Sequence, residues 1–477
     1  MHDVRVLRRP LRRFAEVAGE ERAAFIVDQL EPQAAAALDD RTIVNVNSTA
    51  SGGGVAEMLR VLLGYVVDAG VEVRWLVMEG DRPFFVLTKR IHNHLYGSPG
   101  DGGPLGPAEH EVYQEILRSQ ADGLAEALQP GDIALIHDPQ PAGLAETAAS
   151  AGAIVVWRCH VGLDEQNENS DVAWEFLRPY LEPHVDHYVF SRREFAPAWI
   201  PEDRLSAIPP SIDPFAPKNQ ELAPEVVESI LTHVGLVSGR ETDTRFEKDD
   251  GEPGRVERVC DIVRSGPAPG PDVPVVTQVS RWDPIKDMLG VMRGFVEHVD
   301  APGPAHLVLA GPSVAAVSDD PEGAQVLEDC RRAWEDLPES VQQTVTLACL
   351  PMDDVDENAA IVNALQRHSS VVTQKSLAEG FGLTVSEALL KGRAVVASAV
   401  GGIVDQVVDG ETGLLVREPS DLAEFGGHLT RLLTDPDLAS RLGEAAREAT
   451  VAGFLGDTQL ERWLGVLGSL VDTDGSR

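Results

Sequence analysis

The chain has 477 residues, 43% of them hydrophobic and 25% charged, which is the mixture of a folded globular protein and excludes a disordered chain or a short peptide. At about 150 residues per domain it forms two or three domains. Its net charge of −37 would repel nucleic acids and anionic membranes, so we expect neither as a partner.

The cysteines and the amino terminus indicate a cytoplasmic protein. Four cysteines are present, and none has the Cys-x-x-Cys spacing of a zinc site or belongs to a disulfide framework. The arginine-rich start lacks the apolar stretch of a secretory signal. No apolar run reaches the roughly 18 residues that a membrane-spanning helix needs.

Short β-rich runs alternate with helical patterns along the whole chain, which predicts a parallel α/β architecture. The first helix is the clearest, because apolar side chains between Val55 and Val66 recur on one helical face. The strands predicted in the first half are Thr42–Asn47, Val71–Val77, Asp132–His137, Ala153–Cys159, His187–Phe190 and Leu205–Ile208.

Prolines between residues 209 and 214 divide the chain into two similar halves, because they forbid helix and favour an extended linker. We predict one lobe of residues 1–210 and a second of residues 211–455, with a helix at about 456–472 that crosses back to the first. The strands predicted in the second half are Val275–Ser280, His306–Ala310, Thr344–Ala348, Ser370–Thr373, Ala394–Ala397 and Gly413–Val416.

The segment Gly239–Pro274 is rich in charged residues, glycine and proline and has little periodicity. We predict mostly exposed loop there, with a short helix near Val256–Val263. Further helices are predicted from amphipathic patterns over Asp421–Leu433, Asp437–Ala449 and Thr458–Val471.

Ligands of open parallel sheets bind beyond the carboxyl ends of the strands, so the residues that follow each strand are candidates for a site. Gly53 and Gly54 follow the first predicted strand and precede a helix. Glycines let a ligand approach the backbone, and a helix N-terminus offers free N–H groups. A tight turn without a ligand is the alternative.

Two polar side chains follow the next strands of the first half. Asp138 comes directly after His137, and His160 comes after Arg158 and Cys159. A capping or core role is the ordinary alternative for each. His92, on a predicted helix, would face the same cleft or solvent.

Arg281 and Lys286 lie in the loop after the first strand of the second half. Arginine binds phosphate in a bidentate fork and lysine acts as a point charge, so two cations at a strand end in an acidic chain favour a diphosphate ligand. The alternative is surface ion pairing with Asp283 and Asp287.

A glycine-containing loop follows the predicted strand Ser370–Thr373 and carries Glu379, Gly382 and Thr384 before Glu387. Backbone N–H groups there can meet phosphate oxygens, and the two carboxylates can accept hydrogen bonds from sugar and ribose hydroxyls. A loop with two solvent-facing acids is the alternative.

Absent motifs narrow the function. The sequence has no P-loop and no Gly-x-Ser-x-Gly elbow, which disfavours an NTPase and an α/β hydrolase. It also lacks the Gly-x-Gly-x-x-Gly turn that a dinucleotide-dependent oxidoreductase would need.

The Arg-x4-Lys pair at Arg281 and the Glu-x7-Glu loop at Glu379 resemble those of the retaining glycosyltransferases of family 4. The resemblance implies a GT-B fold, in which two Rossmann-like lobes have parallel sheets that face a central cleft. Segments that resemble the trehalose-forming branch of that family are Val44–Glu57, Ile136–Pro141, Trp157–His160, Pro209–Pro214 and Gln278–Pro284.

The resemblance implies a role for each candidate residue. Arg281, Lys286, Glu379 and His160 would be catalytic. Donor-binding residues would be Gly311, Phe381, Gly382, Leu383, Thr384 and Glu387, with Glu387 at the ribose. Acceptor-binding residues would be Gly53, Gly54, His92, Asp138 and Arg158.

The expected reaction is transfer of glucose from UDP-, ADP- or GDP-glucose to glucose, which forms trehalose with retention of configuration. The expected partners are thus a small sugar and a nucleotide sugar. No metal ligand and no cofactor is expected, with Mg²⁺ at most a modulator of the rate. Another small acceptor, a non-catalytic nucleotide-sugar-binding protein and a homodimer stay open.

Overall fold

The computed structural model describes residues 1–50, 54–301, 303–313 and 321–474. The chain divides into two compact units. Unit 1 consists of Met1–Ser211 together with Phe454–Arg477, and unit 2 consists of Ile212–Gly453.

Unit 1 is built on a seven-stranded sheet in the order β1-β3-β2-β4-β5-β6-β7. All its pairs are parallel except β1 with β3. The strands are β1 (His2–Asp3), β2 (Thr42–Asn47), β3 (Glu72–Val77), β4 (Ile133–His137), β5 (Ile154–Cys159), β6 (His187–Phe190) and β7 (Leu205–Ala207).

The central strands of unit 1 are buried along their full length, as expected for a parallel sheet covered by helices on both faces. Every residue of β4, β5 and β6 is buried. The helices of this part of the unit are α1 (Ala15–Ala18), α2 (Glu20–Phe25), α3 (Glu31–Ala37), α4 (Gly54–Asp68), α5 (Arg82–Leu95), α6 (Pro107–Ala127), α7 (Ala145–Ser150) and α8 (Glu168–Leu181).

Unit 2 contains a second seven-stranded sheet, ordered β10-β13-β12-β11-β14-β15-β16, and a separate hairpin of β8 and β9. In the large sheet only β10 runs antiparallel. The strands are β8 (Arg245–Glu247), β9 (Pro253–Arg255), β10 (Asp261–Val263), β11 (Val275–Val279), β12 (His306–Pro312), β13 (Val345–Leu350), β14 (Val371–Gln374), β15 (Ala394–Ser398) and β16 (Leu414–Val416).

Helices follow most strands of unit 2, as the right-handed crossovers between parallel strands require. They are α9 (Pro224–His233), α10 (Met288–His298), α11 (Pro321–Glu335), α12 (Glu339–Gln342), α13 (Val355–His368), α14 (Leu383–Leu390), α15 (Ile403–Gln406), α16 (Leu422–Thr434) and α17 (Pro436–Gly453). The last helix, α18 (Gly456–Asp474), belongs to unit 1 and packs against α3 and α4.

The twelve predicted parallel strands are present, but the prediction of a helix near Val256–Val263 is wrong. Val256, Val259, Cys260 and Val263 have helical spacing, yet Asp261–Val263 forms β10, which pairs with β13 at the edge of the sheet. Backbone pairing with an existing strand outweighs a short amphipathic pattern, because helical propensity is a weak preference.

All four cysteines are buried and free. Across the residues that the structure describes, no helix is both long enough and apolar enough to cross a membrane.

Candidate active site

The neighbouring parallel strands β11 and β14 end at the same edge of the unit 2 sheet. β11 ends at Val279, before the turn that carries Lys286, and β14 ends at Gln374, before the loop that carries Glu379. Strand order therefore brings together two side chains that lie 93 residues apart in the chain.

Lys286 and Glu379 are in direct contact. The Nζ atom of Lys286 lies 2.5 Å from Oε2 of Glu379, and the hydroxyl of Ser376 donates to the same oxygen at 3.1 Å. The lysine and glutamate side chains are 13% and 10% exposed, so water screens their interaction only in part. Lys286, the predicted phosphate-binding cation, and Glu379, the predicted sugar-binding carboxylate, thus form an ion pair.

Gln278, Asp287 and Lys375 fix the backbone around Lys286, and of these the sequence pointed only to Asp287, as a possible ion-pair partner. The amide of Gln278 donates to the Lys286 carbonyl at 2.7 Å and accepts from the N–H of Lys375 at 2.9 Å. Asp287 has a left-handed backbone with φ 48°, and its carboxylate accepts from the N–H of Gly290 and from the fully buried Lys375 ammonium. Lys375 directly follows β14, a position that could have identified it.

Arg281 is the more accessible of the two predicted cations. Its side chain is 53% exposed and its guanidinium lies 3.0 Å from the carboxylate of Asp283. Arg281 therefore forms the surface ion pair with Asp283 that was the alternative to a role in diphosphate binding. Asp287 pairs with Lys375 instead.

The loop after β14 leads into α14 through Gly382, whose φ of 87° is readily accessible only to glycine. The carbonyl of the buried Phe381 accepts from the amide of Gln406 at 2.5 Å. The hydroxyl of Thr384 donates to the amide oxygen of Gln374 at 2.9 Å. The loop is thus held from both sides, and the first N–H groups of α14 lack partners within the helix.

Glu387 lies on α14, one turn beyond this N-terminus, and its side chain is 5% exposed. The Nε2 atom of Gln366 donates to its carboxylate at 3.3 Å, and Nζ of Lys218 lies 3.8 Å from the same group. The second predicted carboxylate is therefore a buried group with fixed neighbours, not a solvent-facing acid.

Gly401 was not singled out by the sequence, yet the Glu379 loop depends on it. A Cβ atom at Gly401 would lie 1.6 Å from the carbonyl oxygen of Glu379, and the residue has φ 51°. The next residue, Gly402, donates its N–H to the carbonyl of Gly380 at 3.1 Å. The two backbones therefore touch without room for a side chain.

We expect Gly401→Ala to displace the Glu379 loop, to lower the free energy of unfolding by about 1–3 kcal/mol and to reduce turnover. Gly427→Ala is the matched control, because Gly427 is an exposed position of α16 with no atom within 4 Å of a new Cβ; it should raise stability by up to about 1 kcal/mol. Urea unfolding and kcat/KM measure both. Equal values for the two variants would contradict the contact.

A polar cluster lies at the carboxyl ends of β4 and β5 in unit 1. The backbone N–H of His160 donates to the Asp138 carboxylate at 2.8 Å. Nε2 of His160 lies 3.4 Å from both Nδ1 of His137 and Nε of Arg158. The other His137 ring nitrogen lies 3.1 Å from the Asn45 side-chain oxygen. The structure thus brings three predicted residues of unit 1 together.

Burial controls the ionisation of this cluster. It raises the pKa of Asp138 to about 7, lowers the pKa of His137 to about 3 and lowers that of His160 well below its ordinary value, with the Arg158 charge acting in the same direction on both histidines. Both imidazoles are therefore neutral near pH 7. Asp138 also has a left-handed backbone with φ 65°, a strained conformation that is common at functional sites.

Arg158 is fully buried and its guanidinium lies 5.5 Å from the ring of Trp463 on α18. Burial lowers its pKa to about 10. Within the described ranges, its two terminal nitrogens have no hydrogen-bond partner.

For the other predicted residues within its described ranges, the structure gives the element on which each lies. Gly54 begins α4, His92 lies on α5 and Gly53 lies outside the described residues. Gly311 lies in β12, where a Cβ atom would come within 2.6 Å of the Trp282 indole. Close packing with this ring is sufficient reason for a glycine there.

No three His, Cys, Asp or Glu side chains are grouped closely enough to hold a metal ion in the portion of the chain that is described.

Two family models match the chain. "Trehalose synthase, N-terminal domain" matches residues 45–197, and "Glycosyl transferases group 1" matches residues 354–449. The second range contains Glu379 and Glu387, whereas Arg281 and Lys286 lie between the two.

Curated trehalose synthases resemble almost the whole chain. The protein from Pyrococcus horikoshii is 35% identical, with 97% of both chains covered. The protein from Rubrobacter xylanophilus is also 35% identical, with 87% of this chain and 86% of the relative covered.

Among solved structures, an Escherichia coli protein described as trehalose-6-phosphate bound with UDP-2-fluoro glucose has a TM-score of 0.64 at 15% identity. It covers 90% of this chain, and 99% of its own chain is covered. At this identity the likeness concerns the fold. Together with the two parallel sheets, it establishes the GT-B class of α/β fold.

Proposed function

Because the chain belongs to the trehalose synthase family of glycosyltransferases, we propose that it transfers glucose from a nucleoside diphosphate-glucose to free glucose and forms trehalose. Its membership establishes a hexosyltransferase. The observation that best supports a nucleoside diphosphate-glucose as donor is the Lys286–Glu379 pair beside the N-terminus of α14. This pair offers a cation to phosphate and a carboxylate to sugar hydroxyls.

In this proposal, unit 2 binds the donor. Arg281, Lys286 and the N–H groups at the start of α14 bind the diphosphate, because preorganised cations and helix N-termini attract phosphate oxygens. Glu379 and the backbone of Phe381–Leu383 bind the hexose. Glu387 accepts hydrogen bonds from the ribose hydroxyls, and its low exposure suits a single bound geometry. Thr384 and Gly311 are the remaining donor-side residues.

The acceptor side belongs to unit 1. Asp138 and His160 are buried at one sheet edge with neutral imidazoles, so they can exchange hydrogen bonds with hydroxyls without adding positive charge. Arg158 has unused donors within the described structure. Gly53, Gly54 and His92 complete the proposed acceptor side.

The chemistry follows from where charge develops. When the bond between the anomeric carbon and the diphosphate breaks, negative charge grows on the phosphate oxygens and positive character grows on the sugar ring. Lys286 and Arg281 stabilise the first, and the Glu379 carboxylate beside Lys286 favours the second. With retention of configuration, the acceptor hydroxyl attacks from the face of the leaving group and gives its proton to the departing phosphate, so no protein nucleophile is required.

A matrix of nucleotide-glucose donors and small acceptors tests the proposal. UDP-, ADP- and GDP-glucose are each incubated with glucose, glucose 6-phosphate, glycerate and a polyol, and the products are identified by NMR. We expect trehalose from glucose with at least one donor. Transfer only to another acceptor would overturn the acceptor assignment, and no transfer with any pair would favour a binding protein.

We expect that turnover does not need a tightly bound divalent metal, because two cations and a helix N-terminus supply the positive charge at the proposed diphosphate. The protein is treated with EDTA, the chelator is removed, and trehalose formation is measured before and after addition of Mg²⁺. Activity should persist, with at most a modest stimulation. Loss that is restored only by stoichiometric metal would contradict the expectation.

A further inference from the structure

Lys391 is a buried ammonium at the C-terminal end of α14, outside the residues assigned above. Only 4% of the residue is exposed. Its Nζ atom donates to the side-chain oxygen of Asn219 at 3.0 Å, to the side-chain oxygen of Gln366 at 2.8 Å and to the backbone carbonyl of Glu387 at 3.1 Å. All three N–H bonds of a protonated lysine are therefore used.

Gln366 connects this ammonium to the Glu387 carboxylate. It lies fully buried on α13, and its oxygen accepts from Lys391 while its nitrogen donates to Glu387 at 3.3 Å. A rotated amide would turn its oxygen toward the carboxylate and its nitrogen toward the ammonium, which is unfavourable at both ends. Lys391 therefore fixes the orientation in which Gln366 can hold Glu387.

The network also restrains the linker of unit 2 that precedes α9. The amide nitrogen of Asn219 donates to the carbonyl of Asp213 at 2.9 Å, while its oxygen accepts from Lys391. The nearby Lys218 contributes the second positive charge, 3.8 Å from Glu387. Because a buried carboxylate is costly unless it is paired and hydrogen-bonded, these neighbours stabilise the Glu387 carboxylate in one place.

We propose that Lys391 is a positioning residue for the ribose of a nucleoside diphosphate, acting through Gln366 on the Glu387 carboxylate. This inference rests on the proposed function, in which Glu387 accepts the ribose hydroxyl hydrogen bonds. Its consequence is that Lys391 controls the discrimination between ribose and a sugar without those hydroxyls, and has no direct effect on the phosphates.

Calorimetry with Lys391→Met tests the inference. The ligands are UDP, ADP, their 2′,3′-dideoxy forms and inorganic pyrophosphate. We expect the wild-type protein to bind the ribose form of its preferred nucleotide more tightly than the dideoxy form. In Lys391→Met this ratio should fall about tenfold, the effect of one lost hydrogen bond to a charged group, while pyrophosphate affinity stays the same.

A second variant tests the connection through Gln366 in case Lys391→Met misfolds. A third tests the ribose role of Glu387 itself. Gln366→Leu removes the connecting amide but keeps the Lys391 ammonium, and it should lower the ribose-to-dideoxy affinity ratio as much as Lys391→Met does. The double variant should lower this ratio no further. Glu387→Gln should lose the discrimination most. Lys248→Met, at a partly exposed lysine of the β8–β9 hairpin, is the matched control and should behave as the wild type.

The outcomes are distinguishable. If Glu387→Gln loses the discrimination and both Lys391→Met and Gln366→Leu keep it, the inference is wrong and the proposed function stands. If Glu387→Gln also keeps it, the ribose role of Glu387 and the inference fall together. Additive losses in the double variant would contradict action through Gln366.

The pH dependence supplies a second readout. Burial lowers the pKa of Lys391. The charges of Arg367 and Lys218 also lower it, whereas those of Glu387 and Glu221 raise it. The three-donor form is therefore lost at a lower pH than for a free lysine. Ribose discrimination in the wild type should fall as the pH rises from about 6 to about 9, below the ordinary lysine range, and should be flat in Lys391→Met. A flat wild-type profile would contradict the inference.

Discussion

Lys286→Ala and Arg281→Ala are each expected to remove most turnover while the fold is kept. Both cations act on charge that develops on the diphosphate, and loss of one preorganised donor raises the barrier by about 2.7–4 kcal/mol in other enzymes. Lys286 should show the larger loss, because it is held in a fixed position beside Glu379 with 13% exposure, whereas Arg281 is 53% exposed.

The control for this pair is Lys248→Ala, which removes a partly exposed lysine of unit 2 that lies 3.9 Å from Asp354. Values of kcat/KM from trehalose formation are compared, with circular dichroism to verify the fold. If both Lys286→Ala and Arg281→Ala have nearly normal kcat/KM, the diphosphate assignment is wrong and the observed Arg281–Asp283 pair is only a surface ion pair.

His160→Ala is expected to retain affinity for a nucleoside diphosphate and to lose transfer. The ring belongs to unit 1 and contacts His137 and Arg158, whereas the proposed nucleotide contacts all belong to unit 2. The loss should be at least about tenfold in kcat/KM, because one hydrogen bond to hexose or acceptor is removed. Calorimetry with UDP and ADP is paired with the transfer assay.

His187→Ala is the matched control for His160→Ala. His187 begins β6, a strand of the same sheet, and its ring lies 2.8 Å from the hydroxyl of Ser206. Because His187 lies at the amino end of its strand and His160 follows the carboxyl end of β5, His187→Ala should leave transfer unchanged. Parallel loss of nucleotide binding and transfer in His160→Ala, or loss of neither, would make His160 a structural residue.

The sequence was sufficient to predict the parallel strands of both large sheets and to identify the residues that follow each of them. Buried parallel strands are continuous apolar runs, so the strands that precede Lys286 and Glu379 could be located, and their shared edge follows from the α/β rule. The short antiparallel strands β1 and β10 could not be found, because two or three residues have no periodicity. β10 exists only through its pairing with β13.

The parts of the site that were missed depend on tertiary contacts. Lys391 looks like an ordinary lysine in the sequence, and its burial follows from its partners Asn219 and Gln366 on other elements. Lys375 could be located by its position after β14, but only the folded chain shows its pairing with Asp287. Gly401 is one of 43 glycines, and only the folded chain shows its contact with the Glu379 carbonyl. Strand-end position predicts candidates, whereas the groups that hold them in place require coordinates.

Trehalose formation is tested most directly with nucleotide-glucose labelled with ¹³C at the anomeric carbon, together with unlabelled glucose. The product is examined by ¹³C NMR without purification. If the chain forms trehalose with retention, the product is a non-reducing disaccharide with an α,α-1,1 linkage and the label in one of its two rings. Labelled free glucose, a β linkage or a labelled product with another acceptor would contradict it.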